Sequence, residues 1–329
     1  MPRIGMNPNR DHKTDYHPAR VTLAMLTCLP EEAGYFEHRF DSMRVSLESL
    51  IANTPQPYDL LVFDNGSCPR WVDYLRGLRG AGKIQYLLLS SRNIGKLGAL
   101  KIIFNAAPGE IVAYTDDDVF FLPGWLDEHL KIIDTYPNVG SVCGLYMRPL
   151  MAYGIKSTMK FIKRRDVKVE RGMLLPREME QHYIDHMGRT WESYQKETDG
   201  LEDIAVTFNG VQAFVSAGHH QFVAPRHVIL EALPKVWGGE LMGKMRDLDN
   251  EVDRLGCLRF CTRTFLTRLT GNALDAETAA LAREYGIEAT APITRLPGRL
   301  SNRILRWKVI RELAHRIYNA LFRIISNQG

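Results

Sequence analysis

Three consecutive aspartates, Asp116, Asp117 and Asp118, stand in the stretch AYTDDDVFFLPGW between two apolar runs. Neighbouring carboxylates repel, and none is stable when buried alone. A divalent cation makes such a cluster tolerable because it becomes the largest local charge. Mg²⁺ and Mn²⁺ take oxygen ligands and keep positions open for phosphate oxygens. An Asp-x-Asp on a tight turn offers two oxygens pointing the same way, so Asp116 and Asp118 form the expected metal pair, with Asp117 between them pointing elsewhere. The chemistry implied is the handling of a metal-bound diphosphate. The plainer reading is a solvated acidic loop capping the next helix. The apolar strand before the triplet and the LPGW helix start after it weigh against that.

Other residues invite similar weighing. Asp64, before Asn-Gly-Ser, either accepts a hydrogen bond from a nucleobase N–H or makes an Asx turn. Asn93 and Gly95 read as ligand contacts or as turn chemistry. Lys96 either reaches a phosphate or is a solvated helix-start residue. Trp125 either stacks near a sugar or is buried against a sheet.

These residues need elements to hold them. VTLAMLT (21–27), DLLVFD (59–64), IQYLLLS (84–90), EIVAYT (110–115) and VGSVCGLYM (139–147) read as buried strands. Between them, 35–53, the WVDYLRGLRG segment, 96–107 and 124–136 carry apolar residues at helical spacing. Strands alternating with helices predict an α/β fold, a doubly wound and mostly parallel sheet flanked by helices. Ligands of such sheets sit beyond the carboxyl ends of the strands, so Asp64, Asn93 and the triplet should meet at one rim. The pattern is lost over 148–205. It returns with 208–225 as two short strands, RHVILEAL and 246–256 as helices, and 257–269 as a strand, before a closing helical pair.

The chain has 329 residues, 45% hydrophobic and 24% charged, an ordinary globular composition. No run of 18 apolar residues predicts a membrane-spanning helix, and the N-terminal twenty residues carry no apolar leader core. They read as a flexible arm (1–20). The five cysteines are scattered, without paired metal-site spacing, and predict reduced thiols in a cytoplasmic protein. The net charge of +4 is uneven: residues 291–329 carry eight Lys and Arg against one acid, and the rest of the chain is net negative. Within this tail, 299–325 has an apolar helical stripe flanked by arginines, the pattern of a helix that lies on an anionic membrane surface. Packing on the domain or on a second copy is the alternative. The basic stretch 156–172 favours an anionic partner on the same face.

In order and spacing, these motifs resemble those of glycosyltransferase family 2, the inverting transferases of GT-A fold, firmly over 21–147 and more loosely to Asn272. The LAMLTCLPE stretch matches the family's first strand and nucleotide-binding loop, which implies donor contacts at Thr27 and Leu29. VFDNGS matches the Asp-plus-Gly-Ser turn, placing Asp64 against the base with Asn65 beside it. SSRNIGKLGAL matches the Asn-x-Gly, with Asn93, Gly95 and Lys96. YTDDDVFFLPGWL matches the Asp-x-Asp, so the resemblance implies a divalent metal (Mn²⁺ or Mg²⁺) on Asp116 and Asp118, with Asp116 and Asp117 counted among the donor contacts. MRDLDNEVDRLG matches the later acidic motif, which makes Asp247 the implied general base and Asp249 its substitute. Two positions depart from the family. Arg246 replaces the usual Glu, and RLTGN has Leu269 where a metal-ligating His is often found.

The resemblance therefore implies a GT-A transferase domain at 21–272, with 148–205 an irregular acceptor-side insertion and 273–329 a basic helical extension. Its expected activity is transfer of a sugar from a nucleoside-diphosphate sugar to a glycan or lipid-linked acceptor, with inversion. The expected setting is cytoplasmic and peripheral on the membrane, with no nucleic-acid partner. Rival readings are a retaining GT-A enzyme, a nucleotidyltransferase, and a non-catalytic membrane or nucleic-acid adaptor driven by the tail. Two histidine pairs stand outside this scheme. His182 and His186 have the i, i+4 spacing of a zinc pair on a helix, but the sequence offers no third ligand, and they read as surface residues. His219 and His220 mark a strand end, or else contribute to the acceptor site or to the metal.

Overall fold

The computed structural model describes residues 5–236 and 239–290. The amphipathic stripe expected at 299–325 lies outside the described residues. Among the described residues, twelve strands and ten α-helices follow in chain order. β1 (Val21–Thr27), α1 (Arg39–Ala52), β2 (Asp59–Asn65), α2 (Pro69–Gly80), β3 (Tyr86–Ser90), α3 (Lys96–Ala106) and β4 (Ile111–Thr115) build the first half. β5 (Val119–Phe121), α4 (Trp125–Thr135), β6 (Val139–Cys143), α5 (Lys156–Phe161), β7 (Lys168–Gly172), α6 (Arg177–His186) and α7 (Trp191–Glu197) continue it. β8 (Asp203–Phe208), β9 (Val211–Val215), β10 (Gln221–Pro225), α8 (Arg226–Ala232), α9 (Met245–Arg254), β11 (Leu258–Thr262), β12 (Thr267–Leu269) and α10 (Ala276–Glu284) complete the described chain.

Ten strands form one sheet in the order β3-β2-β1-β4-β10-β6-β11-β9-β8-β7. β3, β2, β1 and β4 are parallel. β1, β2 and β4 are buried along their whole length, as continuous apolar runs covered on both faces require. This is the α/β architecture the alternating pattern predicted. The chain runs outward from β1 to β3 and returns on the other side of β1 as β4, so the topological switch point falls between β1 and β4.

Beyond β4 the sheet becomes mixed. β10 is antiparallel to both β4 and β6, β11 is parallel to β6, and β9, β8 and β7 add antiparallel strands. The segment 208–225, expected as two short strands, supplies β9 and β10 and only the last residue of β8, which starts at Asp203 inside the stretch where the pattern was lost. Asn209 and Gly210 both have positive φ and close the β8–β9 hairpin, the conformation an Asn-Gly pair favours. Because β10 runs against β4, its first residues lie at the rim where β4 ends.

A second, two-stranded sheet pairs β5 with β12, Leu269 opposite Val119. α1 fixes it with serines as well as with apolar side chains such as Val45 against Phe120. The Ser46 hydroxyl donates to the Val119 carbonyl at 2.6 Å, the Ser49 hydroxyl accepts from the Phe121 N–H at 3.1 Å, and the Ser42 hydroxyl donates to the Gly271 carbonyl at 2.7 Å. Each satisfies a backbone group that a short edge strand would otherwise bury unpaired. The first compact unit runs to Ala291. Leu274, Ala279, Ala282, Ile287 and Ala289 pack with Val45 and Phe120, so the described residues past 272 belong to the same body. The insertion 148–205 carries α5, β7, α6 and α7. No helix among the described residues is long and apolar enough to cross a membrane.

Candidate active site

The rim beyond β1, β2 and β4 gathers most of the residues singled out from the sequence. Asp117 is 4% exposed, paired with the Arg39 guanidinium, and accepts the Cys28 N–H at 3.0 Å. Burial nevertheless holds its pKa above the usual carboxylate value, against the pull of Arg39. It ties the triplet to the loop after β1, facing away from its neighbours. Asp116 accepts from the Lys96 ammonium and from the Tyr114 hydroxyl, both at 2.6 Å. Burial works against its ionisation, but the Lys96 and His220 charges and these hydrogen bonds keep its pKa below the usual value.

Asp118 differs from both. Its Oδ1 is buried and has no hydrogen-bond partner. Burial first, then the Asp116 and Asp117 charges, push its pKa up to about 7. The Thr270 N–H donates to its backbone carbonyl at 2.8 Å and fixes the residue in place. A buried oxygen without a partner, among carboxylates, fits an oxygen-seeking divalent cation. Leu269, where a histidine ligand was looked for, is locked opposite Val119 in the small sheet and supplies none. His220 lies beside the triplet, its carbonyl accepting the Asp116 N–H at 2.8 Å. Its Nδ1 is buried without a partner, and burial followed by the His219 charge lowers its pKa to about 4.

Four of the residues expected to contact the donor make internal contacts in this structure. Asp64 is 1% exposed and accepts from the Thr27 hydroxyl at 3.1 Å and the Ser67 N–H at 3.0 Å. The carboxylate expected to meet a base thus closes the turn before Ser67, with the Thr27 hydroxyl as its second donor. The Leu29 N–H donates to the Ser67 hydroxyl at 2.8 Å while its side chain is buried in the core. Asn65 is 3% exposed, donates to the Asn93 side-chain oxygen at 2.9 Å and accepts the Ile94 N–H at 2.9 Å, knitting two rim loops together. Asn93 is exposed and also caps the Gly95 N–H at 2.8 Å. Gly95 has φ 78°, and a Cβ there would stand 2.5 Å from the Glu240 carbonyl oxygen, so only glycine lets that loop close over the start of α3. Lys96 follows at the first turn, at the positive end of the helix. Trp125 is 1% exposed, packs on Phe121 and donates to the Thr54 hydroxyl at 2.9 Å, so it is buried against the fold rather than stacked at the site.

The later acidic motif opens α9, and its two aspartates part company. Asp247 is exposed in the first turn. Asp249 is 5% exposed. One of its oxygens meets His219 Nδ1 at 2.7 Å and the other meets the wholly buried Arg259 at 2.6 Å. The buried residues of α9 are Met245, Leu248, Asp249, Val252 and Asp253, a single stripe at spacings of three and four. That phase was readable from the sequence and puts Asp249 on the buried face of α9 and Asp247 on the exposed one. Arg259 was not named from the sequence, and His219 was named there without its pairing to Asp249. His219 reaches the rim because it precedes β10, and Arg259 because it lies on β11.

The family model described as Glycosyl transferase family 2 matches residues 35–191. Comparison with curated proteins finds no match. Among solved structures, the mannosyltransferase PcManGT from Pyrobaculum calidifontis in complex with GDP-Man and Mn²⁺ is similar at 15% identity and a TM-score of 0.45, over 84% of this chain and 66% of that one. GalNAc-T7 with UDP, GalNAc and Mn²⁺ is similar at 11% identity and a TM-score of 0.47, over 77% of this chain and 44% of that one. TarS of S. aureus, residues 1–349, gives 12% identity and a TM-score of 0.43, over 83% and 67%. The chain thus spans less than two thirds of the length of the first two.

Proposed function

We propose that this chain, which belongs to glycosyl transferase family 2 through residues 35–191 and is a glycosyltransferase, moves a sugar from a nucleoside-diphosphate donor to a hydroxyl of a glycan or lipid-linked acceptor, with inversion. The observation that carries the reading is the unpartnered buried oxygen of Asp118 at the switch point of the sheet. Asp118, with Asp116 beside it, would hold a Mn²⁺ or Mg²⁺ ion, which supplies positive charge to the diphosphate leaving group. Lys96 adds a second positive charge at the start of α3, where a helix N-terminus favours phosphate.

On the acceptor side, the expected role of Asp247 passes to Asp249 together with His219. Asp249 accepts the His219 Nδ1–H, which leaves Nε2 to take the proton of the acceptor hydroxyl. Arg259 pairs with the second oxygen of Asp249 and holds the carboxylate in place against His219. One in-line displacement, with base and leaving group on opposite sides of the anomeric carbon, inverts the configuration. A cytoplasmic setting, with the basic tail against an anionic surface, completes the proposal and accords with five free cysteines.

The test is a thermal-shift panel of UDP-, GDP-, dTDP- and CMP-sugars with and without Mn²⁺. At a donor concentration a hundred times Kd, binding stabilises the chain by about 2.7 kcal/mol. One base should shift the midpoint in a metal-dependent way, and Asp118→Asn should lose the metal-dependent part. No shift with any nucleotide, or an unchanged metal effect in Asp118→Asn, would sink the proposal. NMR of the first-formed product reads the anomeric configuration, and retention would remove the base assignment.

A further inference from the structure

His182 and His186 sit one turn apart on α6 and face the start of α10, where Asp275 lies. One ligand atom from each of the three residues lies within 4.8 Å of the other two. Among the described residues this is the single group of three or more His, Cys, Asp or Glu side chains that meets that condition, and the aspartate triplet does not. We propose that His182, His186 and Asp275 form a second metal site, selective for Zn²⁺ and separate from the diphosphate-handling site.

The surroundings prepare each donor. His182 Nε2 is buried without a hydrogen-bond partner. His186 Nδ1 lies 3.1 Å from the His182 carbonyl, to which it donates, so the lone pair of this ring is on Nε2. Asp275 caps α10 by accepting the Thr278 N–H at 2.6 Å, and Arg268 stands 3.6 Å from its other oxygen. These contacts orient the carboxylate as outer partners orient metal ligands. Gly271, at φ 63°, lets the loop before α10 close on His186, since a Cβ there would stand 3.3 Å from ring carbon Cδ2. Two imidazole nitrogens and one carboxylate oxygen suit zinc far better than Mg²⁺ or Mn²⁺. Bond lengths near 2.1 Å place tetrahedral ligand atoms roughly 3.4 Å apart, so the site closes by about an ångström of side-chain rotation.

The three residues line a cavity of about 830 Å³ together with Leu122, Thr270 and Asn272 among others. A fourth coordination position thus opens to water or to a ligand oxygen. The site would fasten α6, in the acceptor-side insertion, to the loop whose Thr270 N–H holds Asp118. The third ligand that the sequence did not offer is supplied from 89 positions further along the chain.

The experiment uses the tag-free full chain, stripped with chelator and titrated with Zn²⁺ alone, in the Asp118→Asn background to remove binding at the triplet. One zinc per chain is expected by elemental analysis, with Mg²⁺ in large excess failing to displace it. Co²⁺ should give the visible absorption of a tetrahedral nitrogen–oxygen site. His186→Ala should abolish stoichiometric uptake. Asp275→Asn, which keeps a helix-capping side chain and so tests the ligand without testing the fold, should weaken zinc at least tenfold. No uptake by the stripped chain would overturn the site, as would the same affinity in His186→Ala and Asp275→Asn. Because the readout is zinc rather than sugar transfer, it stands or falls apart from the proposed reaction.

Discussion

Asp118, half-buried with its Oδ1 closed off from solvent, and Asp203, buried entirely, are two aspartates that the protein treats in opposite ways. Asp203, at the start of β8, is fully buried. It accepts from the Tyr146 hydroxyl at 2.9 Å, from Arg148 Nε and Nη2 at 3.0 Å each, and from the Leu174 and Leu175 N–H groups at 2.8 and 2.9 Å. Burial pushes its pKa up, but these donors hold it below the usual value. Asp118 has an oxygen with no donor at all, and its pKa goes the other way, to about 7. A saturated carboxylate has nothing left for a ligand and serves as structure. A carboxylate left short of partners is stable only when something outside the chain completes it.

The contrast breaks first if Asp203 proves dispensable. Replacing it with Asn leaves Arg148 buried with Glu180 as its remaining acidic partner. Losing one member of a buried, hydrogen-bonded ion network is strongly destabilising. Asp203→Asn should lower the unfolding free energy by about 3 kcal/mol in urea titration, with donor affinity changed only as far as folding is lost. A loss under about 1 kcal/mol would mean that saturation does not mark structural carboxylates here.

Asp249 sharpens the comparison because it is paired and yet stands at the site. Its partners differ from those of Asp203: one is a buried arginine, but the other is a histidine with a second nitrogen to offer. Asp249→Asn should lower kcat/KM about hundredfold or more, the range for losing a positioned proton acceptor. Asp247→Asn, on the exposed face of the same helix, should stay within about threefold. Circular dichroism of both variants separates folding from chemistry, and a larger loss in Asp247→Asn would return the base to that residue.

What the sequence made legible follows from how each element is buried. The parallel strands β1, β2 and β4 are covered on both faces and read as unbroken apolar runs. The strand ends were therefore legible, and at the rim they form, Asp117 turns to Arg39 and Cys28 while Asp116 and Asp118 do not. Hydrogen-bonded loops were harder. Asp64 and Asn65 stand where a ligand contact was expected, but their side chains are used by Thr27, Ser67, Asn93 and Ile94, partners set by the fold and not by local pattern. The serine face of α1 was hidden because serine does not register as a buried stripe. Asp249 and the β8–β9 hairpin are different: the helical phase of α9 and the Asn209-Gly210 pair were both in the sequence. The third neighbour of His182 and His186 was not, since only tertiary folding brings Asp275 to α6.

The smallest expected effect tests the comparison most directly, because its sign is opposite to that at Asp203. Without metal, Asp118 binds a proton more tightly when folded than the free carboxyl, whose value is 3.8. Its contribution to stability is therefore fully present below about pH 4 and is lost as pH rises through about 7. Asp118→Asn removes the charge and keeps the shape. Metal-free Asp118→Asn should match the parent near pH 4 and exceed it above pH 7, by on the order of 1–3 kcal/mol. Adding Mn²⁺ with the matching nucleotide should reverse the order, since only the parent gains binding energy. Paired unfolding curves at pH 4.5 and 8, with and without metal, check both halves. If metal-free Asp118→Asn is less stable than the parent at pH 8, Asp118 has partners of its own and belongs with Asp203.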